Sequence, residues 1–301
     1  MTNVIDIRSV TRKYGHATAL DDVTFAVPEG SICGLLGRNG AGKTTIMSII
    51  AGQDRPSSGH VDVFGHPPFE RGSILSQISY VRDNQRYPDG YRLHHVLRIA
   101  PDFAPNWSDE AAGELLEGLR IPEKTRIKKL SRGQLSSVAI VLGLASRAPI
   151  TLLDEPYLGL DVTARALFYQ ALLRDYERQP RTIVLSTHLI DESASLFDRV
   201  VIMESGRIVV DCDRDEAPNL AFVMSGTTDA VNRIADGHEV LQTHTVGALT
   251  SVTASGAIDD ATQAKAREVG VQIAPASLKE LVAAHGANES ESTTAKGEAR
   301  A

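Results

Sequence analysis

The segment that most constrains the fold of this chain is GRNGAGKT, Gly37 to Thr44, which has the spacing Gly-x4-Gly-Lys-Thr. It follows the apolar run SICGLL and precedes the apolar run IMSII, so it predicts a strand, a tight loop and a helix. Glycines let backbone N–H groups curve around phosphate oxygens, and the helix that starts there adds the positive end of its dipole. The segment therefore predicts a site for a nucleoside triphosphate.

The side chains at the end of this loop have separate expected roles. Lys43 is expected to reach the β and γ phosphates, Thr44 to place its hydroxyl on Mg²⁺, and Thr45 to contact the α phosphate. The residues expected to surround the phosphates are Gly37, Arg38, Asn39, Gly40, Ala41, Gly42, Lys43, Thr44 and Thr45.

Composition limits the partners and the compartment. The chain has 301 residues, enough for a large domain and a smaller one. Its net charge of −7 has the wrong sign for binding nucleic acid through phosphates, so no nucleic acid partner is expected. The longest apolar runs reach about half of the roughly 20 residues that cross a bilayer. Cys33 and Cys212 lie far apart and in no metal-ligand spacing, which favours a reducing cytosol.

The pattern of apolar residues changes along the chain. Short apolar runs separated by Gly, Pro and Asp fill the first third and predict strands. From Arg92 to Lys129 apolar residues recur at helical spacing, which predicts a helical insert. Strands then alternate with helices, which predicts βα units on a largely parallel sheet. The run ESGR predicts a hairpin that closes the sheet, so the first domain is expected to end near Asp213.

The remainder of the chain contains no chemical motif. Its apolar segments predict a small βαβαβα unit in which residues 245–254 form a single strand. Two roles stay open for this unit: a folded spacer without a ligand, or support and regulation of a dimer. The polar residues 287–301 predict a disordered tail.

Two later strands end in polar side chains. ITLLDEP is an apolar run that ends in Asp154 and Glu155, which suits one acid that holds Mg²⁺ and a second that activates water as a general base. TIVLSTH ends in His188. Because parallel strands bring their carboxyl ends to one edge of a sheet, His188 is expected to meet the γ phosphate and help position Glu155.

In this order the motifs resemble the ATP-binding subunits of ATP-binding cassette (ABC) transporters, over about residues 3–213. Tyr14 in RKYG matches the aromatic residue that stacks on adenine, GRNGAGKTT matches Walker A, and TLLDEP matches Walker B. LSRGQ matches the signature, YLGLD matches the D-loop with Asp161, and STH contains the switch histidine.

The resemblance implies an α/β fold, the P-loop NTPase fold of the ABC type. It would have a mixed sheet core, an antiparallel β subdomain and a helical insert at about residues 90–135. The ABC domain would cover residues 1–213, a small C-terminal α/β accessory domain residues 214–286, and the tail residues 287–301.

The same resemblance implies the partners. ATP and Mg²⁺ would bind between the phosphate loop of one subunit and the signature of another, so the chain would form a homodimer or a heterodimer with a similar subunit. Separate permease subunits would hold it at the cytoplasmic face of the membrane. The signature residues that would face the partner's ATP are Ser131, Arg132, Gly133 and Gln134.

Two positions depart from the family pattern. Where the Q-loop glutamine is usual the chain has Asp83, and Gln85 follows two places later, so either could contact Mg²⁺ or the water; Asp83 is favoured. Arg132 replaces a signature glycine. It is either a tolerated variant with negative φ, as in the ABC-2-type exporter branch, or the mark of a weaker site paired with a better one.

The leading function is ATP hydrolysis that powers a membrane ABC transporter, an exporter of the ABC-2 type. The alternative is a soluble ABC ATPase that acts on ribosomes or DNA without a permease. A subunit that only binds ATP is disfavoured because Lys43, Asp154, Glu155 and His188 are all present.

Overall fold

A computed structural model describes residues 2–82, 85–88 and 90–286. Its central layer is a six-stranded sheet in which five strands are parallel and the last is antiparallel. In spatial order the strands are β5 (Ile78–Arg82), β6 (Ile150–Asp154), β7 (Thr182–Thr187), β3 (Ile32–Leu36), β8 (Arg199–Glu204) and β9 (Arg207–Asp213). Every residue of β3, β6 and β7 is buried, because both faces of the sheet are covered.

A three-stranded antiparallel sheet covers one face of this layer, as the sequence predicts. Its strands, in spatial order, are β2 (Ala17–Pro28), β1 (Asn3–Tyr14) and β4 (Ser58–Val63). The helix α1 (Lys43–Ile50) contributes Ile46 and Met47 to the core between the two sheets. Cys33 lies in the same core, and burial raises the pKa of its thiol to about 12, so it packs as a small apolar side chain.

Helices cover the other face. They are α3 (Leu93–Ile99), α4 (Asp109–Gly118), α5 (Arg132–Ala145) and α6 (Val162–Arg178), with the short α2 (Gly72–Leu75) and α7 (Ile190–Ser193) at the edges. The predicted helical insert is present, but α5 continues through Ala145 because its later residues are packed against the sheet. In the described part of the chain, none of the helices has the length and apolar character to cross a membrane.

The C-terminal unit differs from the predicted order by one strand. It consists of β10 (Ala221–Thr227), α8 (Thr228–Ala235), β11 (Val240–Val246), β12 (Leu249–Ser255), α9 (Asp260–Val269) and β13 (Gln272–Pro275). The single strand predicted at residues 245–254 is wrong: β11 and β12 form a hairpin, and Gly247 turns the chain with φ 62°. The exposed β11 has mainly polar residues in its second half, so apolar patterning missed it.

This unit has its own core and also packs against the sheet domain. Its four strands form an antiparallel sheet in the order β11-β12-β10-β13, and Phe222 and Val231 lie in the core under its helices. A closing helix, residues 278–286, follows. Leu281 and Val282 of that helix belong to the same core as α5 and α6. The predicted tail at residues 287–301 lies outside the described residues.

Removing the ring of Phe197 should destabilise the sheet domain. Phe197 is fully buried, and a side chain at Gly34 of β3 would lie 2.7 Å from its ring, so the ring fills the space above a central strand. Phe197→Ala should cost about 3–5 kcal/mol and lower the Tm in thermal unfolding. The matched control is Phe103→Ala, because Phe103 is 82% exposed; equal losses of Tm in the two variants would contradict this packing.

Candidate functional site

Three neighbouring strands carry the predicted motifs to one edge of the sheet. The central one is β7, with β6 on one side and β3 on the other. Asp154 at the end of β6 pairs in register with Ser186, and Leu36 at the end of β3 pairs with Thr187. The strands therefore end level with one another, and the loop after β3, the carboxylates after β6 and the histidine after β7 meet there.

The loop after β3 requires glycine at two positions for steric reasons. Gly37 has φ 143°, and a Cβ added there would lie 2.3 Å from the carbonyl oxygen of Met203. Gly42 has φ 104°, and a Cβ would lie 2.9 Å from the carbonyl oxygen of Ala19. Backbone atoms cannot withdraw as a flexible side chain can, so these glycines shape the loop that leads into α1.

Lys43 begins α1, and its side chain is buried and hydrogen-bonded to the loop. Its side chain is 4% exposed. Its ammonium donates to the carbonyl oxygens of Gly37 at 2.8 Å and of Arg38 at 3.0 Å, and lies 3.4 Å from Oε1 of Glu155. The loop thus holds the positive charge beside the carboxylate that follows β6.

The two carboxylates have different surroundings. Asp154 is 4% exposed and accepts a 2.6 Å hydrogen bond from the hydroxyl of Ser186. Glu155 has φ 45°, a left-handed conformation that a non-glycine residue adopts at a cost, and its N–H donates to Ser186 Oγ at 3.0 Å. This backbone turn directs the Glu155 side chain toward Lys43.

Two cavities lie at this edge of the sheet. One of about 400 Å³ is lined by Asn39, Gly40, Gly42, Lys43, Thr44, Thr45, Asp154 and Glu155, together with Ala19 and Leu158. The other, of about 590 Å³, is lined by Arg38, Asn39, Gly40, Ala41, His188, Glu204 and Ser205. The loop therefore separates a carboxylate-lined space from a histidine-lined space.

His188 links these two spaces. Its Nδ1 lies 2.9 Å from Oε2 of Glu155. It also lies 3.1 Å from the hydroxyl of Tyr157, a residue that sequence reasoning missed. The available signal was an aromatic residue directly after the carboxylate turn, but its position relative to His188 depends on the pairing of β6 with β7.

The donor set fits Mg²⁺ that arrives with phosphates. The small cavity offers the hydroxyl of Thr44 and the carboxylate of Asp154, which are hard oxygen donors. In the ranges that the structure describes, no three His, Cys, Asp or Glu side chains converge to hold a metal ion by themselves. Mg²⁺ is usually held by one or two protein groups together with substrate phosphates, so this set is sufficient.

Comparison with known proteins identifies the family. A model of the ABC transporter family matches residues 20–158. An uncharacterized ABC transporter ATP-binding protein of Methanocaldococcus jannaschii is 33% identical over 213 residues, which cover 68% of this chain and 76% of that protein. The Nod factor export ATP-binding protein I of Rhizobium meliloti is 32% identical, over 69% of this chain and 63% of that protein. The chain belongs to the ABC transporter ATP-binding family.

Solved structures agree on the fold. An ATP-binding subunit of an ABC transporter matches 71% of this chain and 91% of its own length, with a TM-score of 0.63 and 26% identity. A dimeric ATP-binding cassette bound to ADP and Pi in a post-hydrolysis state matches 70% of this chain and 98% of its own length, with a TM-score of 0.60 and 24% identity. The predicted P-loop NTPase fold of the ABC type is confirmed, and this ABC protein is an ATP-binding ATPase.

The ABC signature starts α5 as a capping box. Ser131 is the N-cap: its Oγ accepts from the N–H of Gln134 at 3.2 Å, and Oε1 of Gln134 accepts from the N–H of Ser131 at 2.9 Å. Arg132 is the first helical residue, so its φ is negative, and the residue is exposed. These side chains line neither of the two cavities.

Gly133 packs against the D-loop. A Cβ at Gly133 would lie 2.4 Å from the carbonyl oxygen of Gly159. Nearby, the hydroxyl of Ser136 donates to the carbonyl of Leu158 at 2.6 Å. Asp161 lies at the end of the D-loop as the N-cap of α6, where it accepts from the N–H of Ala164 at 2.8 Å. The start of α5 is therefore tied to the segment that follows the carboxylates.

Two residues predicted to contact ATP have other partners. Tyr14 is 48% exposed, donates its hydroxyl to Asp54, and has the guanidinium of Arg12 4.4 Å from its ring centroid. Arg38 directs its Nη1 to the carbonyl of Gly286, at 3.1 Å, in the closing helix. Neither residue lines the 400 Å³ cavity, and Arg38 lines the 590 Å³ cavity.

Of the two Q-loop candidates, the structure describes Gln85. Asp83 lies outside the described residues. Gln85 lines a cleft of about 470 Å³ between β5 and the helical insert, and it lines neither cavity at the phosphate loop. Its Oε1 is buried, and no hydrogen-bond partner for it occurs within residues 2–82, 85–88 and 90–286.

Adding a single methyl group at Gly133 should disturb the signature. Gly133→Ala places a methyl group against a backbone carbonyl, so α5 or the D-loop must shift, at a cost of about 1–3 kcal/mol. We expect a lower Tm and an ATPase rate at least about tenfold lower, since each 1.4 kcal/mol at a required geometry is a factor of ten. Gly118→Ala at the end of α4 is the matched control, because a Cβ there meets nothing within 4 Å. Equal rates in both variants would argue against the contact.

Proposed function

We propose that this ABC ATPase is the peripheral energy-supplying subunit of a membrane exporter of the ABC-2 type, and that it acts by ATP-driven dimerisation. The observation that carries the proposal is the separation of its ATP-contacting parts. Walker A and the carboxylates surround one set of cavities, whereas the exposed signature at the start of α5 lines neither of them. A complete site then needs the signature of a second subunit.

Each residue of the site has a proposed task. Lys43 exchanges its contacts with loop carbonyls for the β and γ phosphates, because a phosphate is the stronger partner for an ammonium. Thr44 and Asp154 hold Mg²⁺, which when bound neutralises charge that develops on the phosphates. Glu155 orients the attacking water and accepts its proton, and His188 donates to the γ phosphate. Tyr14 stacks on adenine with the ring face that Arg12 leaves open.

Dimerisation converts these contacts into a mechanical step. The helix N-terminus at Ser131, with its N–H groups and hydroxyl, offers anion-binding donors to the partner's ATP. ATP therefore favours the closed dimer and hydrolysis releases it, which is a shift between two states by differential binding. Arg132 is exposed at the helix start, which supports a competent signature in a homodimer or a heterodimer. The cassette of similar fold noted above is itself dimeric, with ADP and Pi bound in a post-hydrolysis state.

The cleft beside the helical insert is the proposed permease site. It is lined mostly by apolar groups that include Ile99, Phe103 and Trp107, and Phe103 is 82% exposed. An exposed aromatic side chain beside a concave apolar surface is typical of a protein contact. Gln85 lines the same cleft, so the Q-loop would carry the effect of permease binding to the ATP site. Within that loop, Asp83 is the proposed contact to Mg²⁺ or water.

Export is supported by the related Nod factor export proteins, whose names state export for those proteins. An import protein for spermidine and putrescine is 33% identical as well, so identity alone does not set the direction. The ABC-2 assignment also rests on the basic residue in the signature and the acidic residue in the Q-loop, which resemble that branch.

Glu155→Gln should separate binding from turnover. Without a carboxylate to accept the proton, the ATPase rate should fall by about 10²–10⁴-fold, while ATP binding persists and a dimer accumulates on size-exclusion chromatography with ATP. Glu114→Gln is the control, since Glu114 lies on the surface and pairs with Arg178. A normal rate in Glu155→Gln would show that another group activates the water.

Phe103→Glu should weaken the complex with the permease. Burying a carboxylate in an apolar contact is costly, so the amount of permease that co-purifies from detergent-treated membranes should fall at least about tenfold. Val246→Glu is the control, because Val246 is also exposed, at 67%, but lies on β11 of the C-terminal unit. Recovery of the tagged wild-type chain with ribosomes, and never with a permease, would instead favour the soluble alternative.

A further inference from the structure

The hydroxyl of Tyr157 lies inside the catalytic edge of the sheet. The residue is 2% exposed and sits between Walker B and the D-loop. The backbone N–H of His188 donates to this hydroxyl at 2.9 Å, and the hydroxyl of Thr187 donates to it at 3.0 Å. The Nδ1 of His188 lies 3.1 Å away, with the two rings edge to face at 5.5 Å. A single phenol oxygen therefore contacts the Thr187 side chain and both the backbone and the ring of His188.

The hydrogen-bond capacity of a phenol decides the direction of the last contact. A tyrosine hydroxyl has two lone pairs and one proton. The N–H of His188 and the hydroxyl of Thr187 occupy the lone pairs. The proton of Tyr157 is then directed to Nδ1 of His188. Burial raises the pKa of Tyr157 well above its usual value, so this donor stays protonated over the range in which enzymes work.

Nδ1 of His188 has a second potential hydrogen-bond partner. It lies 2.9 Å from Oε2 of Glu155, a contact that requires a proton on Nδ1. The contact from Tyr157 requires a lone pair there instead. One ring nitrogen cannot serve both at once, and the partner at Nδ1 decides whether Nε2 carries the proton. The charged groups that share these surroundings are Glu155, Lys43, Arg38 and Glu204.

We propose that Tyr157 is a positioning residue for ATP hydrolysis: with ATP bound, its O–H donates to Nδ1 of His188, holds the ring in the Nε2–H tautomer, and releases Glu155 to the attacking water. The Nε2–H is then the donor that faces the γ phosphate. The inference rests on the proposed roles of Glu155 and His188. Simple ring packing would need none of the three polar contacts that the hydroxyl makes.

The test uses the full chain with Tyr157→Phe, which keeps the ring and removes the hydroxyl. We expect the kcat for ATP to fall at least about tenfold, as expected for a misdirected acid–base pair, while the KM changes less than about twofold. Tyr176→Phe is the matched control, because its hydroxyl also donates a hydrogen bond, at 2.5 Å to the carbonyl of Gly30, which lies at the opposite end of β3 from the phosphate loop. Its kcat should stay within about twofold of wild type.

Two further measurements separate positioning from packing. In a His188→Ala background, Tyr157→Phe should cause no additional loss, since the histidine that it positions is gone. The ¹⁵N ring signals of His188, assigned by their loss in His188→Ala, should report Nε2–H in the wild-type chain with Mg²⁺ and a nonhydrolysable ATP analogue. In Tyr157→Phe they should report Nδ1–H.

The outcomes distinguish this inference from the proposed function. If Tyr157→Phe turns over ATP as fast as Tyr176→Phe, if its loss persists unchanged in His188→Ala, or if the ring tautomer is the same with and without the hydroxyl, the role of Tyr157 is wrong. Those results would leave the roles of Glu155 and His188 standing. Wild-type turnover in His188→Ala alone would instead overturn the proposed role of His188, and this inference with it.

Discussion

The placement of β7 between β6 and β3 is the constraint on which the rest of the site depends. Hydrogen bonds on both sides of β7 hold the three strands in register, with Asp154 opposite Ser186 and Leu36 opposite Thr187. The next residues along each strand then emerge within contact of one another, and Glu155 lies 3.4 Å from Lys43 and 2.9 Å from His188. Because β-sheet register changes only in whole residues, a slip of one strand would turn these side chains away from each other.

Close backbone contacts extend this arrangement from the sheet to the helices. Gly37 and Gly42 allow the phosphate loop to lie against the carbonyls of Met203 and Ala19, and Gly133 allows α5 to lie against the carbonyl of Gly159. These contacts have little freedom to relax, because a carbonyl oxygen belongs to a planar peptide group and cannot rotate away as a side chain can. A movement of the segment that follows the carboxylates would therefore displace the start of α5, which suits the proposed dimer in which one subunit's signature meets the other subunit's ATP.

The C-terminal unit is joined to the ATPase domain at places close to the nucleotide motifs. Arg38 of the phosphate loop donates to the carbonyl of Gly286, and Lys279 pairs with Asp191 at 2.6 Å, three residues after His188. The Lys279 pair is exposed and contributes little free energy by itself. Burial of Leu281 and Val282 in the main core supplies the larger contribution, at about 1.5–3 kcal/mol for each fully buried side chain. These contacts link the accessory unit to the phosphate loop, whichever of its two open roles it has.

The sequence by itself determined the family, the parallel sheet with its antiparallel partner and helical insert, and the residues that cluster at one edge. It could do so because Gly-x4-Gly-Lys-Thr, LSRGQ and the polar residues that end strands are local patterns of a few positions. Only the tertiary structure decided which strand lies between which, because spatial order depends on pairing between distant segments. It also decided that Tyr157 meets His188, that Gly133 meets Gly159, and that Arg38 turns to Gly286. The β11 hairpin escaped prediction for a related reason: an exposed edge strand owes its conformation to its neighbour β12 and leaves little apolar pattern in its own residues.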